Sequence, residues 1–255
     1  MSAQGLAVQL RTLKLPSFVE HHEEIADKAG REGLSFSDCL QELVELELSD
    51  REVRKIDRLR RQAALPAEKL LANLDQSRLP EKVRRQVPAL CEGGFVERAE
   101  NVLAFGMPGR GKSHVIAAIG HELVKGGYSV LWRPAFKLVQ KLLVAKRDLA
   151  LETELRRLDR FDVLILDDIG YVQQDREEME VLFTLLAERY ERKSVMITSN
   201  LVFSQWDKIF KDAMTTAAAI DRLVHHSVIL EMTGESYRSD EAKKRNLAKS
   251  KTSKK

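Results

Sequence analysis

Cysteine is scarce in this chain of 255 residues, which contains only Cys39 and Cys91, far apart in the sequence. No His/Cys cluster accompanies them, so the sequence argues against a structural zinc site or a disulfide framework and favours a reducing cytoplasm. No apolar run is long enough to span a bilayer, and no charged-then-apolar signal region opens the chain. We therefore expect a cytoplasmic protein with no membrane partner.

A strong charge bias is also missing. Lysine and arginine total 42 against 39 acidic residues, which gives a net charge of +3 and a pI of about 8.8. This excess is too small to indicate nucleic-acid binding, so only the distribution of the charges is informative. The length suits one α/β core with a smaller appendage.

One glycine-rich stretch has the residue pattern of a phosphate-binding loop. Residues 106–113 read GMPGRGKS, follow an apolar run and precede a helical pattern, which is the context of a P-loop. Glycines let backbone N–H groups turn towards phosphates, Lys112 would reach the β- and γ-phosphates, and Ser113 would hold Mg²⁺. The residues predicted to bind the nucleotide are Gly106, Pro108, Gly109, Arg110, Gly111, Lys112, Ser113 and His114.

Two acids follow a second apolar run, residues 163–166, which fits a strand buried on both faces of a parallel sheet. Acids at the end of such a strand form a Walker B arrangement. Asp167 would orient Mg²⁺, so Ser113 and Asp167 are the predicted metal ligands, and Asp168 would polarise the attacking water. The alternative is that this aspartate pair only caps the following loop.

Two later side chains are further catalytic candidates. Asn200 ends the next strand, where it would bond the γ-phosphate or the attacking water, or else form an Asx-turn. Arg222 lies too far along the chain to reach its own nucleotide, so it would act on a neighbour's, or else pair with Asp221 at the surface. No guanine-reading Asn-Lys-x-Asp motif occurs, so adenine is the expected base.

Strand-like and helical patterns alternate after the P-loop, which calls for a doubly wound parallel sheet. Predicted strands cover residues 101–105, 128–132, 162–168, 194–198 and 227–232, and predicted helices cover 134–149 and 179–190. Before them, residues 1–65 indicate a helical domain, with helix starts at Ser35 and at Ser49. We expect residues 66–95 to form a connector of short helices outside the core, 96–240 the α/β domain, and 241–255 a disordered basic tail.

The order of the motifs resembles the IstB/DnaC branch of the AAA+ ATPases. The segments GMPGRGKS, LILDDIG, RYERKSVMITSN, AIDRLVHHS and GESYR occur in this order. LKLPSFVEHHEE and LSFSDCLQELVELELSDREVRK are similar to the N-terminal module of IstB, the ATPase helper of insertion-sequence transposases. The resemblance covers nearly the whole chain.

This resemblance implies an AAA+ P-loop NTPase core with a five-stranded parallel sheet flanked by helices, no C-terminal lid, and a small N-terminal all-helical domain. Lys112 and Ser113 match Walker A, Asp167 and Asp168 match Walker B, and Asn200 matches sensor 1. Arg222 matches the arginine finger that acts in trans. Most AAA+ proteins have glutamate at the position of Asp168, and the shorter aspartate leaves its role as catalytic base open.

The resemblance further implies a bacterial ATPase that uses ATP and Mg²⁺, assembles into a ring or spiral on duplex DNA, and stimulates a transposase there. Two basic helix faces are the candidate DNA contacts, although a solvated surface is the alternative for each. They comprise Arg54, Lys55, Arg58 and Arg61, and Lys137, Lys141, Lys146 and Arg147. A helicase loader of the DnaC type and a nucleotide-gated DNA scaffold with negligible hydrolysis are the competing functions.

Overall fold

The computed structural model of the protein describes residues 3–171, 176–201 and 223–233. The chain divides into two compact units, Met1–Arg58 and Leu59–Lys255. Within the described ranges, no helix combines the length and apolar character needed to cross a bilayer. The predicted domain limits stay predictions, and the predicted basic tail and the absence of a C-terminal lid concern residues outside those described.

The first unit is helical where the structure describes it. Its helices are α1 (Ala3–Thr12), α2 (Pro16–Glu32) and α3 (Phe36–Ala63), the last of which continues past residue 58. Pro16 occupies the first turn of α2, where its missing N–H leaves no intrahelical bond unmade. At the start of α3, Ser35 Oγ accepts from Asp38 N–H at 3.2 Å, and Asp38 Oδ2 accepts from Ser35 N–H at 3.1 Å. These reciprocal bonds form a capping box at the predicted helix start, Ser35.

The predicted helix start at Ser49 is wrong, because Ser49 lies inside α3. The surrounding residues are good helix formers without glycine or proline, so nothing ends the helix before Ser49. Glu47 also anchors this part of α3, since it is only 3% exposed and accepts a 2.9 Å bond from Ser17 N–H. Arg51 Nε donates to the same carboxylate at 2.7 Å, and Arg54 Nη2 donates to it at 3.1 Å.

The expectation that residues 66–95 lie outside the core is also wrong. This segment does contain short helices, namely the 3-10 turns Leu71–Asn73 and Gln76–Arg78, α4 (Glu81–Cys91) and the single turn α5 (Gly94–Glu97). Their apolar side chains are buried, however, together with those of the first strand: Leu74, Leu79, Val83, Val87, Leu90 and Phe95. The apolar face of α4 therefore belongs to the hydrophobic core of the second unit.

The second unit is built on a five-stranded sheet in the order β2-β3-β4-β1-β5. Its strands are β1 (Asn101–Phe105), β2 (Val130–Pro134), β3 (Val163–Asp167), β4 (Ser194–Ser199) and β5 (Ser227–Glu231). Every neighbouring pair is parallel, with Val102 opposite Met196 and Leu166 opposite Ile197. The predicted five-stranded parallel sheet is confirmed.

Helices cover both faces of the sheet, as predicted for a doubly wound fold. They are α6 (Lys112–Lys125), α7 (Ala135–Arg147), α8 (Leu151–Asp159) and α9 (Arg176–Arg189). One core cluster joins α7, α8 and α9 to the sheet, and a second joins α4 and α6 to it. The interiors of β1 and β3 are apolar and buried because both faces of the sheet are covered.

Arg189, the last residue of α9, is a charged side chain in this core and is only 1% exposed. Its guanidinium donates to four backbone carbonyls, those of Leu158, Phe161, Asp162 and Ser194, at 3.0–3.2 Å. These carbonyls lie where α8 ends and where β3 and β4 begin. Burial lowers the pKa of Arg189 to about 10, and the side chain remains cationic at neutral pH. Arg189 therefore ties the starts of two adjacent strands together.

We predict that Arg189→Met destabilises the second unit strongly. Methionine fills the space but removes the side-chain donors, although Leu158 O and Asp162 O keep a second, backbone donor. Each buried carbonyl left without a donor costs roughly 1–3 kcal/mol, so we expect a net loss of about 3 kcal/mol. The matched control is Arg192→Met, which removes an exposed pair with Asp159 and should cost under about 1 kcal/mol. Urea denaturation followed by circular dichroism measures both. Equal midpoints for the two variants would contradict the role given to Arg189.

Candidate active site

The glycine-rich loop connects β1 to α6 at the carboxyl edge of the sheet. Gly109 and Gly111 have φ angles of 80° and 83°, a region that glycine enters without steric cost. A Cβ at Gly106 would lie 2.3 Å from Met232 O, so a larger residue does not fit there. Because α6 begins at Lys112, its first N–H groups, which lack intrahelical partners, adjoin the loop. Such a backbone suits an anionic phosphate chain.

Lys112 places a buried cation in this loop, with 6% of the residue exposed. Its Nζ donates to Gly106 O at 2.6 Å and to Met107 O at 3.1 Å. It also donates to Asn200 Oδ1 at 2.6 Å, across 88 residues of sequence. The ammonium group is therefore shared between the loop and the end of β4.

Asn200 joins the two predicted halves of the phosphate site. Its Oδ1 accepts from Lys112, while its Nδ2 donates to Asp168 Oδ1 at 3.0 Å. Asp168 has a φ of 63°, a conformation that aspartate tolerates better than most non-glycine residues. The fold thus brings the Walker A lysine, the sensor position and the second Walker B acid into one hydrogen-bonded chain.

Thr198 is a site residue that sequence reasoning missed. Its Oγ1 donates to Asp167 Oδ1 at 2.7 Å and accepts from the Asp168 N–H at 2.7 Å, and the residue is 1% exposed. The hydroxyl thereby fixes the first acid through its carboxylate and the second through its backbone. The available signal was a polar residue inside the buried strand β4, two positions before Asn200.

The remaining loop residues lie around this chain of contacts. Ser113 follows Lys112 in α6 and is half-buried, whereas Met107 and Pro108 are exposed. Arg110 Nε is buried and has no hydrogen-bond partner among the described residues. The His114 ring is directed elsewhere, with Nε2 3.1 Å from Leu70 O in the segment before α4.

These residues fit a nucleotide with its magnesium ion on chemical grounds. The loop offers outward-turned glycines and an ammonium group for phosphate, and carboxylates and a hydroxyl are the hard oxygen ligands that Mg²⁺ prefers. Asp167 and Asp168 are both half-buried at the edge where ligands bind in open parallel sheets. A Mg²⁺-nucleotide is thus compatible with the residues present.

On each of the two predicted basic surfaces, two of the four basic side chains are paired with acids. On α7, Lys141 Nζ lies 2.8 Å from Glu154 and Lys146 Nζ lies 2.8 Å from Glu180. Lys137 and Arg147 are exposed and have no ion-pair partner among the described residues. On α3, Arg54 pairs with Glu47 and Lys55 with Glu52, while Arg58 and Arg61 are exposed. Arg222, the predicted trans-acting arginine, lies outside the described residues.

Known proteins share this arrangement of motifs. The family model described as IstB-like ATP binding protein matches residues 8–246. The chain belongs to this family. An insertion sequence ATP-binding protein of Sinorhizobium fredii is 44% identical over 234 residues, covering 91% of this chain and 78% of the relative. The IS21 ATP-binding protein of Pseudomonas aeruginosa is 38% identical over 239 residues, covering 94% of this chain and 90% of the relative. This IstB-like chain is therefore an ATP-binding protein.

Solved structures show the same fold at low sequence identity. The crystal structure of DnaI matches with a TM-score of 0.56 and 22% identity, covering 67% of this chain and 95% of that one. AMPPCP-bound DnaA from Aquifex aeolicus matches with a TM-score of 0.54 and 18% identity, covering 67% of this chain and 51% of DnaA. The predicted AAA+ P-loop fold and the predicted IstB-like membership are both confirmed.

We predict that Thr198→Val raises the Mg²⁺ concentration needed for half-maximal ATP binding about tenfold. Loss of a group that orients a metal ligand typically lowers metal affinity 10–100-fold. Valine keeps the shape of threonine and removes only the hydroxyl that bonds Asp167 and Asp168. Thr198→Ser keeps the hydroxyl and is the matched control. A fluorescent ATP analogue titrated at a series of Mg²⁺ concentrations measures the effect, and identical Mg²⁺ curves for the two variants would exclude this role.

Proposed function

We propose that this protein is a DNA-stimulated ATPase that assembles on duplex DNA, selects or remodels target DNA for a partner transposase, and stimulates that enzyme. The observation that carries the proposal is the hydrogen-bonded chain from Lys112 through Asn200 to Asp168 in a member of the IstB-like family. The curated relatives are named as ATP-binding proteins of insertion sequences, which supports a transposase as the partner.

Each site residue would have a separate role in ATP binding or hydrolysis. The loop N–H groups and Lys112 would hold the phosphates, and Ser113 and Asp167 would hold Mg²⁺. When bound, Mg²⁺-ATP supplies the bond to be cleaved and a metal that neutralises charge developing on the phosphates. Asp168 would orient the attacking water, with its carboxylate positioned by Asn200 Nδ2 at 3.0 Å. Contacts with two carbonyls and an amide oxygen position the Lys112 ammonium group for the phosphates.

The arrangement around Asp168 favours hydrolysis over a scaffold without turnover. Asp168 is bonded through both its backbone and its side chain, which holds its carboxylate at the edge of the sheet where the phosphates would lie. Asp168→Asn keeps the size and removes the charge, so retained ATP binding with lost turnover would support the catalytic role.

We predict that the active site is completed by a second copy of the chain through Arg222. Arg222→Ala should bind ATP normally and lose at least tenfold in turnover, as for other groups that stabilise transferring phosphate. Mixing it with Lys112→Ala should restore part of the turnover, since each variant supplies what the other lacks at a shared interface. A Lys112→Ala/Arg222→Ala double variant mixed with Lys112→Ala is the control and should stay inactive. Phosphate release measures all mixtures, and no recovery in the first mixture argues against action in trans.

We predict that α7 contacts DNA phosphates chiefly through Lys137 and Arg147, because Lys141 and Lys146 are already paired with acids. Lys137→Ala with Arg147→Ala should reduce the slope of log affinity against log salt by roughly 1.8, about 0.9 for each lost phosphate contact. Arg85→Ala on α4, which breaks an exposed pair with Glu81, is the control. Fluorescence anisotropy with duplex DNA over a salt series measures the slopes, and an unchanged slope removes this surface.

The competing role as a helicase loader makes a different prediction for the nucleic acid. A loader should prefer single-stranded DNA and bind a hexameric helicase, whereas the transposition helper should prefer duplex DNA and bind a transposase. The likeness to DnaI concerns the fold only, and it favours neither partner. The same anisotropy assay with single-stranded and duplex oligonucleotides of equal length separates the two functions.

A further inference from the structure

Potential metal ligands also meet at the sheet edge opposite the P-loop, just before β4 and β5 begin. Glu191 lies in the turn between α9 and β4, and His225 and His226 lie in the turn that leads into β5. One ligand atom from each of these residues lies within 4.8 Å of the other two. We propose that Glu191, His225 and His226 bind one divalent transition-metal ion of the zinc class.

The spacing of two of these ligands already suits such an ion. Glu191 Oε1 lies 3.4 Å from His226 Nε2. Ligands of a tetrahedral Zn²⁺ with bond lengths near 2.0–2.1 Å are about 3.4 Å apart, which matches the separation of this pair. The His225 ring centroid lies 4.1 Å from that of His226, with 63° between the ring planes, and side-chain rotation would bring it closer to the shared position.

The surroundings of the histidines match those of metal-binding imidazoles. A ligating histidine usually bonds its second ring nitrogen to a fixed neighbour, and His225 Nδ1 lies 3.4 Å from the Tyr190 hydroxyl. That contact leaves His225 Nε2 for a metal. Water would complete the coordination, because Glu191, His225 and His226 are all exposed and solvent reaches the site directly.

The backbone beneath the site is held by Asn101, the first residue of β1. Its N–H donates to His226 O at 2.7 Å, and its side-chain Nδ2 donates to Leu223 O at 3.4 Å. Its Oδ1 accepts from Val195 N–H at 2.9 Å, which links the same turn to the start of β4. The turn that carries both histidines is therefore fixed relative to the strand that follows Glu191, as a preorganised site requires.

Two distant cysteines without a His/Cys cluster argued against a structural zinc site, but Glu191 joins the adjacent His225 and His226 only in the fold. Glu191 and His226 are distant in sequence and meet only because β4 and β5 both flank β1 in the sheet. Without a metal, the exposed Glu191–His226 pair would contribute little to stability. Under the proposal, all three side chains are ligands of one metal ion.

Zinc binding to the full-length protein tests the proposal. The protein is stripped with EDTA, carries Asp167→Asn to remove a ligand of the nucleotide site, and is titrated with ZnCl₂ against a chromophoric chelator. We expect one Zn²⁺ per chain, with affinity reduced at least tenfold by His226→Ala and also by Glu191→Gln. Bound Co²⁺ should give a visible absorption band that both variants lose.

The chain provides a matched control in His21 and His22, which also adjoin glutamates, on α2. His21→Ala should leave zinc affinity unchanged. An unfolding midpoint in EDTA equal to that of the parent protein shows that a variant is folded. If His226→Ala does not fold, Glu191→Gln alone tests the proposal. Zinc affinity that is unaffected by Glu191→Gln, lost in His21→Ala, or present only when Asp167 is intact would overturn the proposal.

Discussion

The candidate active site depends on the way β4 holds the two acids that follow β3. The Thr198 hydroxyl bonds the Asp167 carboxylate and the Asp168 N–H, and two residues later Asn200 bonds the Asp168 carboxylate and Lys112. These contacts exist because β4 pairs with both β3 and β1 in the parallel sheet, with the carboxyl ends of all three strands at one edge. Without this pairing, the P-loop and the acids would be separate motifs on one chain.

The opposite edge of the sheet supplies the rigidity on which this pairing relies. Arg189 joins carbonyls at the starts of β3 and β4, and Asn101 joins β1 to β4 and to the turn before β5. Each side chain bonds backbone groups at the starts of the strands, and the four carbonyls around Arg189 explain why a charged residue is tolerated in the core. The register at the starts of the strands then determines which side chains meet at their ends.

Much of the fold could be predicted from the sequence because the strands are short apolar runs between clear helical patterns. The predictions failed where long-range packing outweighed a local signal. Ser49 has the residues of a capping box, yet α3 continues through it because Glu47 is buried against the start of α2. Thr198 was missed for the same reason: its partner Asp167 is 31 residues away, and no local pattern relates them.

The charge distribution has a consequence for how the proposed function would operate. Acidic neighbours neutralise Lys141 and Lys146 on α7 and Arg54 and Lys55 on α3, and the whole chain carries a net charge of only +3. A single copy would therefore neutralise few phosphates and bind DNA weakly at physiological salt.

Several linked copies would multiply these small contributions, because each contact after the first is intramolecular. If ATP binding promotes assembly, assembly would strengthen DNA binding, and by reciprocity DNA would favour the ATP-bound assembly. The proposed stimulation of the ATPase by DNA then follows from weak individual contacts.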